Sequence, residues 1–226
     1  MIKDFRKYKI TYTLIILNLI VYVVSAFLSR DIIDMDLEIL VNMGALFGPY
    51  TVLHGEWWRL FTAIFLHSGM THLLMNMFSL YLIGRGAEMY FEKKSYIIIY
   101  IISGLMGGLL SQYMHPTSVG IGASGAIFGV FGAIAGFFLA FREKIQEQSK
   151  AFMKDFGVII VINLVLGFSI PTVDVSAHIA GLVIGFIGGF MVSKNPKWIW
   201  IYLFTMVLLM FGIASYIYGQ YAKIVF

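Results

Sequence analysis

The sequence predicts an all-α polytopic membrane protein, and its composition and charge pattern are the observations that predict it. The chain has 226 residues, of which 60% are hydrophobic and 12% are charged. A soluble domain carries about 25% charged residues. Uncharged runs such as Ile10–Ser29 and Ser95–Phe141 are long enough to cross a bilayer as helices.

These runs divide the chain into seven predicted helices, numbered one to seven along the sequence. They cover Ile10–Ser29, Thr71–Tyr90, Ser95–Met114, Ser124–Phe141, Phe156–Val173, Val175–Ser193 and Trp198–Tyr218. The shortest can just cross the hydrocarbon core of a membrane at about 1.5 Å per residue. We expect one membrane domain over residues 1–226, with a six-helix core at 10–193 and one extra C-terminal helix at 198–218.

The basic residues predict how the helices are oriented. With the N-terminus in the cytoplasm, thirteen of the 16 Lys and Arg residues fall on the cytoplasmic side, which is the usual bias of membrane proteins. The C-terminus is then outside. The net charge of +4 therefore indicates topology in a lipid bilayer and not nucleic-acid binding. The compact length and the lack of a recognisable transit peptide lead us to expect a bacterial inner membrane.

The loop between predicted helices one and two is long, covering residues 30–70, and its second half is apolar. The stretch WWRLFTAIFLHSGM, residues 57–70, is too short to span a membrane and too apolar to be fully solvated. We expect it to lie in the membrane interface or at the membrane edge.

Polar side chains lie at the starts of three predicted helices that run in the same direction. His72 and Asn76 lie in the first two turns of helix two. Ser124 opens helix four, and His178 lies about one turn into helix six. The four residues are therefore expected at one depth near the outer surface. Ionisable residues inside membrane helices are costly and are candidates for function.

Two glycine stripes predict that helices four and six pack closely. Gly181, Gly185 and Gly189 follow His178 at helical spacing, and Gly125, Gly129, Gly132 and Gly136 follow Ser124. Small residues at such spacing let helix backbones approach each other. Close packing would bring Ser124 to His178, and a serine nucleophile needs a base within hydrogen-bond reach.

The residues alone leave structural alternatives open. Ser124 is also typical of a helix N-cap or of a close helix interface, and His178 can be hydrogen-bonded to a neighbouring helix. His72 and Asn76, one turn apart, can donate to a developing oxyanion or to another helix. A metal site on His72 and His178 is disfavoured because no third ligand joins them, His67 being only a neighbour in the loop.

An acidic partner for the histidine is also missing from the pattern. Asp174 precedes His178 by one turn but is expected at the membrane surface. We therefore favour a Ser–His dyad, and we predict no metal and no cofactor. The chain has no Cys, which excludes a cysteine nucleophile, a thiolate metal site and a disulfide.

Several segments carry a resemblance to a known family. They are GASG at Gly122–Gly125, AHIAGLVIG at Ala177–Gly185, HLLMN at His72–Asn76, and WR at Trp58–Arg59 followed by FLHSG. Gly84 and Glu88 match a further G-x-x-x-E pattern at the end of a helix. In their order and spacing these segments resemble the rhomboid family of intramembrane serine proteases. The resemblance covers roughly residues 51–193, with a flanking helix at each end.

The resemblance implies a rhomboid-like six-helix core with one extra C-terminal helix, and it implies roles for named residues. Ser124 would be the nucleophile and His178 the general base. The oxyanion hole would be formed by His72, Asn76 and the Ser124 N–H. Supporting positions would be Gly122, Gly125, Phe128, Ala177 and Gly181. Many relatives carry Tyr where this chain has Phe128, so packing on the histidine is expected without the hydroxyl.

The function implied is that of an endopeptidase that cuts single-pass membrane proteins in or near their transmembrane segments, close to the outer face. Predicted helix five and the stretch GFSIPTVDV, residues 167–175, are our candidates for a mobile element that admits the substrate. A rhomboid-like pseudoprotease that binds transmembrane helices without cutting is the alternative, although a pure binder needs neither Ser124 nor His178. The small size and the lack of repeats disfavour a transporter or channel.

Overall fold

The computed structural model describes residues 2–147, 150–151, 154–155, 157–158 and 173–225, and most of these residues are helical. The α-helices are α1 (Ile2–Lys7), α2 (Lys9–Ser29), α3 (Leu37–Asn42), α4 (Arg59–Thr62), α5 (Met70–Tyr90), α6 (Lys93–Met114), α7 (Ser124–Ala140), α8 (Val175–Lys194) and α9 (Ile199–Val225). A π-helical turn covers Pro49–Leu53, and 3₁₀ turns cover Ala63–Phe65 and Pro196–Trp198.

The structure confirms the all-α polytopic class. Within the described ranges, α2, α6, α8 and the stretch Pro196–Tyr221 are long and apolar enough to cross a membrane. The 17-residue α7 is apolar but shorter, and the 21-residue α5 carries more polar side chains. Predicted helix five, Phe156–Val173, lies almost wholly outside the described residues, and of the proposed mobile stretch at 167–175 only residues 173–175 are described. The count of seven spans therefore stays a prediction.

Nearly all of the described helix ends lie within two residues of the predicted ones. The exception is the last helix, which was predicted to end at Tyr218 but continues to Val225. Gly219 and Lys223 follow Tyr218, and neither residue type stops an established helix as Pro does. The helix therefore extends beyond the uncharged run from which its length was predicted.

Among the described helices, α7 and α8 pack especially closely, with glycines of each helix facing the backbone of the other. A Cβ atom on Gly181 would overlap the Gly125 carbonyl oxygen, and one on Gly185 would overlap the Gly129 carbonyl oxygen. Only glycine permits this approach, because any other side chain would have to occupy the same space as a backbone atom. The two glycine stripes of the sequence are therefore the contact surface.

The same contact continues along both helices. A Cβ on Gly189 would overlap the Ala133 carbonyl oxygen, and in the opposite direction a Cβ on Gly132 would overlap the Leu182 carbonyl oxygen. Because glycines of both helices contribute, the register of α7 on α8 is fixed over several turns. A shift of α8 by one residue would replace Gly185 by Ile184 or Phe186, and Gly181 by Ala180 or Leu182.

A second junction joins the start of α2 to α5. The Glu88 carboxylate accepts hydrogen bonds from the backbone N–H groups of Ile10 (3.1 Å) and Thr11 (2.7 Å). These N–H groups lie in the first turn of α2, where a helix has no internal acceptors for them. Gly84 lies one turn earlier on α5, where a Cβ would overlap the Tyr96 hydroxyl. The Gly84 and Glu88 pattern thus forms a helix junction.

The long loop after α2 folds into short helices that pack on the bundle. Leu60, Ile64 and Leu66 are buried in the core, whereas Trp58 and Phe61 are exposed. The apolar half of the loop therefore buries one side in the protein and leaves aromatic rings outside, which is compatible with a position at the membrane interface.

Arg59 anchors this loop from within. Its side chain is 7% exposed, and Nε pairs with the Glu56 carboxylate at 2.6 Å. Nη1 donates to the carbonyl oxygens of Val41 and Ala45. A buried guanidinium with this many acceptors ties three parts of the loop together.

The outer surface of the bundle is apolar. Phe27 is 82% exposed, Phe211 69% and Phe204 67%. Exposed phenylalanines at this density are unfavourable in water and match a hydrocarbon environment. The pattern is that of an integral membrane protein that contacts lipid with its helices.

Replacement of Gly185 by Val tests the close packing of α7 and α8. Gly185→Val places a branched side chain on the Gly129 carbonyl, so we expect unfolding in a detergent titration to become easier by about 3 kcal/mol or more. Gly212→Val is the matched control, because nothing lies within 4 Å of a Cβ at Gly212. Equal stability of the two variants would contradict the close packing.

Candidate functional site

The candidate site lies where the starts of α5, α7 and α8 meet. An extended segment leads into α7 and is held on both sides by hydrogen bonds. Leu46 and Gly120 exchange two backbone hydrogen bonds of 2.9 Å, and Gly122 N–H donates to the Ala63 carbonyl at 2.9 Å. Ser124, the first residue of α7, is therefore presented by a backbone that the long loop supports.

Gly122 brings the His72 imidazole next to Ser124. Its φ of +116° is a conformation that side chains strongly disfavour. A Cβ at this position would lie 2.8 Å from His72 Nε2 and 4.0 Å from Ser124 Oγ. The hydroxyl and the ring nitrogen therefore border the same small space, which the missing side chain of Gly122 leaves open.

His178 is positioned by the stacking of its ring on Phe128. The ring centroids are 4.3 Å apart and the planes differ by 9°. Phe128 lies one turn after Ser124 on α7, so the stack places the imidazole beside the first turn of that helix. On the same side, a Cβ on Gly125 would lie 3.4 Å from the Ala177 carbonyl oxygen. The structure thus brings together the start of α7 and the start of α8.

The Ser124 hydroxyl and the His178 imidazole are not joined by a hydrogen bond in the described structure. Catalytic hydrogen bonds are often long in the free enzyme and shorten when a substrate binds. The two residues lie at the starts of helices whose backbones are in contact.

Asp174 caps α8, and among the described residues no hydrogen bond joins its carboxylate to the His178 imidazole. Its carboxylate accepts from the Ala177 N–H at 3.0 Å and from the Ser176 hydroxyl. Burial opposes its ionisation, but hydrogen bonds from Ser111, Ser176 and Ala177 hold the pKa of Asp174 below its ordinary value. The anion therefore stabilises the N-terminus of the helix that carries the histidine.

His72 and Asn76 are linked to each other and to the loop. The Asn76 side chain is buried and donates to the His72 carbonyl at 2.9 Å. The His72 Nδ1 lies 3.3 Å from the Ser68 hydroxyl, which leaves Nε2 towards Gly122. The structure thus places His72 at the site directly, while Asn76 uses one of its two amide hydrogens within its own helix.

His67 is closer to the site than its sequence position suggested. The ring is fully buried, and its centroid lies 5.0 Å from that of His72. Neither ring nitrogen has a hydrogen-bond partner in the described part of the chain. The apolar residues around His67 in the sequence were the available signal of burial. No group of three or more His, Cys, Asp or Glu that could hold a metal ion occurs among the described residues.

The fold and this arrangement define a class of protein: a polytopic helical membrane protein with a half-buried serine and histidines at one end of a glycine-packed helix pair. Comparison with known proteins gives the family. A model of the rhomboid domain matches residues 54–195 of the chain. The chain belongs to the rhomboid family.

Relatives occur in plants and bacteria. RHOMBOID-like protein 6, mitochondrial, of Arabidopsis thaliana is 39% identical over 161 residues, which are 71% of this chain and 52% of that protein. Rhomboid protease GluP of Bacillus subtilis is 39% identical over 66% of this chain and 28% of its own length. Putative rhomboid protease YdcA of the same species is 36% identical over 65% of this chain and 72% of its own length. The chain thus spans about half or less of the length of the first two.

The Gly122→Ala variant tests whether the site depends on the space at Gly122. We expect a lower unfolding temperature and a displaced His72 ring, because the new methyl group would collide with Nε2 in a strained backbone. The measurement is thermal unfolding together with the NMR signals of the His72 imidazole.

Two controls separate collision from backbone strain. Gly55 also has a positive φ, of +72°, but nothing lies within 4 Å of a Cβ at this position. Gly55→Ala therefore tests backbone strain without a collision. Removal of the ring in His72→Ala should recover part of the stability lost in Gly122→Ala. The same loss of stability with and without the His72 ring would contradict the contact.

Proposed function

We propose that this chain is an intramembrane serine endopeptidase that uses a Ser124–His178 dyad. The observation that carries the proposal is the stack of Phe128 on His178 across helices whose backbones are in contact. That contact holds the base one helical turn from the start of α7, where the serine lies. Packing alone needs no histidine at this position, whereas a serine nucleophile needs a base on a neighbouring element.

The reaction follows from the positions of these groups. Ser124 Oγ attacks the carbonyl carbon of the scissile peptide bond while His178 accepts the hydroxyl proton. The C–N bond then breaks, His178 returns the proton to the leaving amine, and an acyl-Ser124 ester remains. Water, activated by the same imidazole, hydrolyses the ester and restores the free enzyme.

The developing oxyanion is stabilised by donors around the start of α7. The Ser124 N–H and the other free N–H groups of the first turn carry the positive end of the helix dipole. His72 Nε2 borders the same space, and Asn76 keeps one amide hydrogen available. Donors fixed before the substrate arrives need no rearrangement as charge develops, which is the main benefit of an oxyanion hole.

A carboxylate is not used to orient the base. Asp174 is occupied as the cap of α8, so the flat contact with Phe128 takes over the positioning of the imidazole. A stacked pair of rings contributes about 0.5–1.5 kcal/mol beyond its buried area. This is enough to favour one ring orientation without fixing the tautomer as a carboxylate would.

The proposed substrates are single-pass membrane proteins, which reach the site from the bilayer and are cut near the outer face. A peptide bond inside a helix is shielded by its hydrogen bonds, so the substrate segment must unwind at the site. We keep the proposed orientation, N-terminus inside and C-terminus outside, and the bacterial inner membrane as predictions. The relatives include a protein named as mitochondrial, so similarity alone does not select the membrane.

Replacement of either dyad residue tests the proposed chemistry. Ser124→Ala and His178→Ala should each lower the cleavage rate of a model transmembrane substrate in detergent by about a thousandfold or more. A serine-directed phosphonate should label the wild type and not Ser124→Ala. The readouts are gel analysis of the cleavage products and mass spectrometry of the labelled protein.

Ser215→Ala is the control for this experiment, because Ser215 is an exposed serine on α9 and takes part in none of the contacts described above. It should cleave and be labelled as the wild type. Cleavage that survives in Ser124→Ala would end the proposal. A wild type that binds the substrate but neither cleaves it nor reacts with the phosphonate would favour the pseudoprotease.

The Phe128→Ala variant tests the positioning of the base. Loss of the stacked ring frees the imidazole, so kcat should fall about tenfold or more with little change in the amount of folded protein. Phe128→Tyr retains the ring and should keep most of the activity. Phe204→Ala removes an exposed ring of equal size and should have no effect. Full activity in Phe128→Ala would refute this role.

A further inference from the structure

Tyr221, near the end of the C-terminal helix α9, contacts the loop that leads to Ser124. Tyr221 is fully buried, although it lies in the last two turns of the helix. Its hydroxyl donates to the Pro116 carbonyl at 2.7 Å. Pro116 lies in the loop between α6 and α7, and this loop leads directly to Ser124. A helix outside the predicted six-helix core is thus bonded to the segment that presents the serine.

Gly48 completes this contact from the long loop after α2. A Cβ on Gly48 would overlap both the Pro116 carbonyl oxygen and the Tyr221 hydroxyl. Gly48 has an ordinary helical φ of −52°, so its need for glycine arises from space and not from backbone conformation. Three separate parts of the chain therefore meet at one hydrogen bond.

The hydrogen bond between Tyr221 and Pro116 lies at one end of two neighbouring segments, residues 46–48 and 116–120. Leu46 and Gly120 are bonded to each other at the other end, two residues before Gly48 and four after Pro116. Beyond Gly120 the chain continues through Gly122 to Ser124. Without the Tyr221 hydroxyl, the first part of this loop would be held on one side only, and the Pro116 carbonyl would lose its buried donor.

We propose that Tyr221 is a positioning residue of the active site, with α9 as a part of the working enzyme. It acts through the loop at 116–122, which it holds against residues 46–48 so that Ser124 keeps its place beside His72. The inference rests on the proposed function, because it assumes that Ser124 is the nucleophile. The rest of α9 packs on the bundle through contacts such as the Tyr202 hydroxyl on the Ile184 carbonyl.

The test compares full-length wild type with Tyr221→Phe, which removes only the hydroxyl. The rate constant of labelling by a serine-directed phosphonate, and kcat for a model transmembrane substrate, should both fall about three- to tenfold. KM should change little, because the proposed effect is on the position of the nucleophile. Amide hydrogen exchange in residues 117–122 should become faster.

Two further variants keep the test specific. Tyr218→Phe removes a hydroxyl from the same helix at a side chain that is 62% exposed, and it should behave as the wild type. Gly48→Ala displaces the Tyr221 hydroxyl from the other side, so it should lower kcat in the same way. Its effect should be much less than additive with that of Tyr221→Phe.

The outcomes separate this inference from the proposed function. If the wild type reacts and cleaves but Tyr221→Phe keeps its kcat and labelling rate, the inference is overturned and the proposed function stands. A lower unfolding temperature with unchanged kcat shows a structural contact only, which also overturns it. If the wild type itself neither cleaves nor reacts, both ideas fail together, because there is no active site to position.

Discussion

The backbone contact between α7 and α8 is the constraint on which the rest of the site depends. Glycines of each helix face backbone carbonyl groups of the other helix. The distance between the two helices and their register are therefore almost fixed. Ser124 and His178 lie at the same end of this contact. The first turn of α7 therefore has a histidine beside it as a consequence of packing, with Phe128 fixing the orientation of the ring.

The loops complete what the helix pair begins. The segment before Ser124 is bonded to Leu46 on one side and to Ala63 on the other, and Gly122 leaves room for the His72 ring. Arg59 holds the long loop from inside. A nucleophile at a helix start needs such support, because the terminal N–H groups that would stabilise an oxyanion are also the least constrained part of a helix.

Much of this could be predicted from the sequence, because periodic features have local causes. Uncharged runs gave the helices, and the glycine spacing gave the α7–α8 contact. The burial of His67, the bond between Tyr221 and Pro116 and the extension of α9 to Val225 were missed. The bond between Tyr221 and Pro116 joins residues far apart in the chain, which no spacing rule encodes. The other two had local signals, namely the apolar neighbours of His67 and the lack of a helix-stopping residue after Tyr218. The roles proposed for Ser124, His178, His72 and Asn76 stay predictions.

The most direct test of the central claim is an experimental structure of the protein after reaction with a serine-directed phosphonate. We predict that phosphorus is bonded to Ser124 Oγ. An imidazole nitrogen of His178 should lie within about 3.2 Å of an oxygen bonded to that phosphorus. A phosphonyl oxygen should face the Ser124 N–H and His72. An adduct on another serine, or a His178 ring turned away from a labelled Ser124, would contradict it.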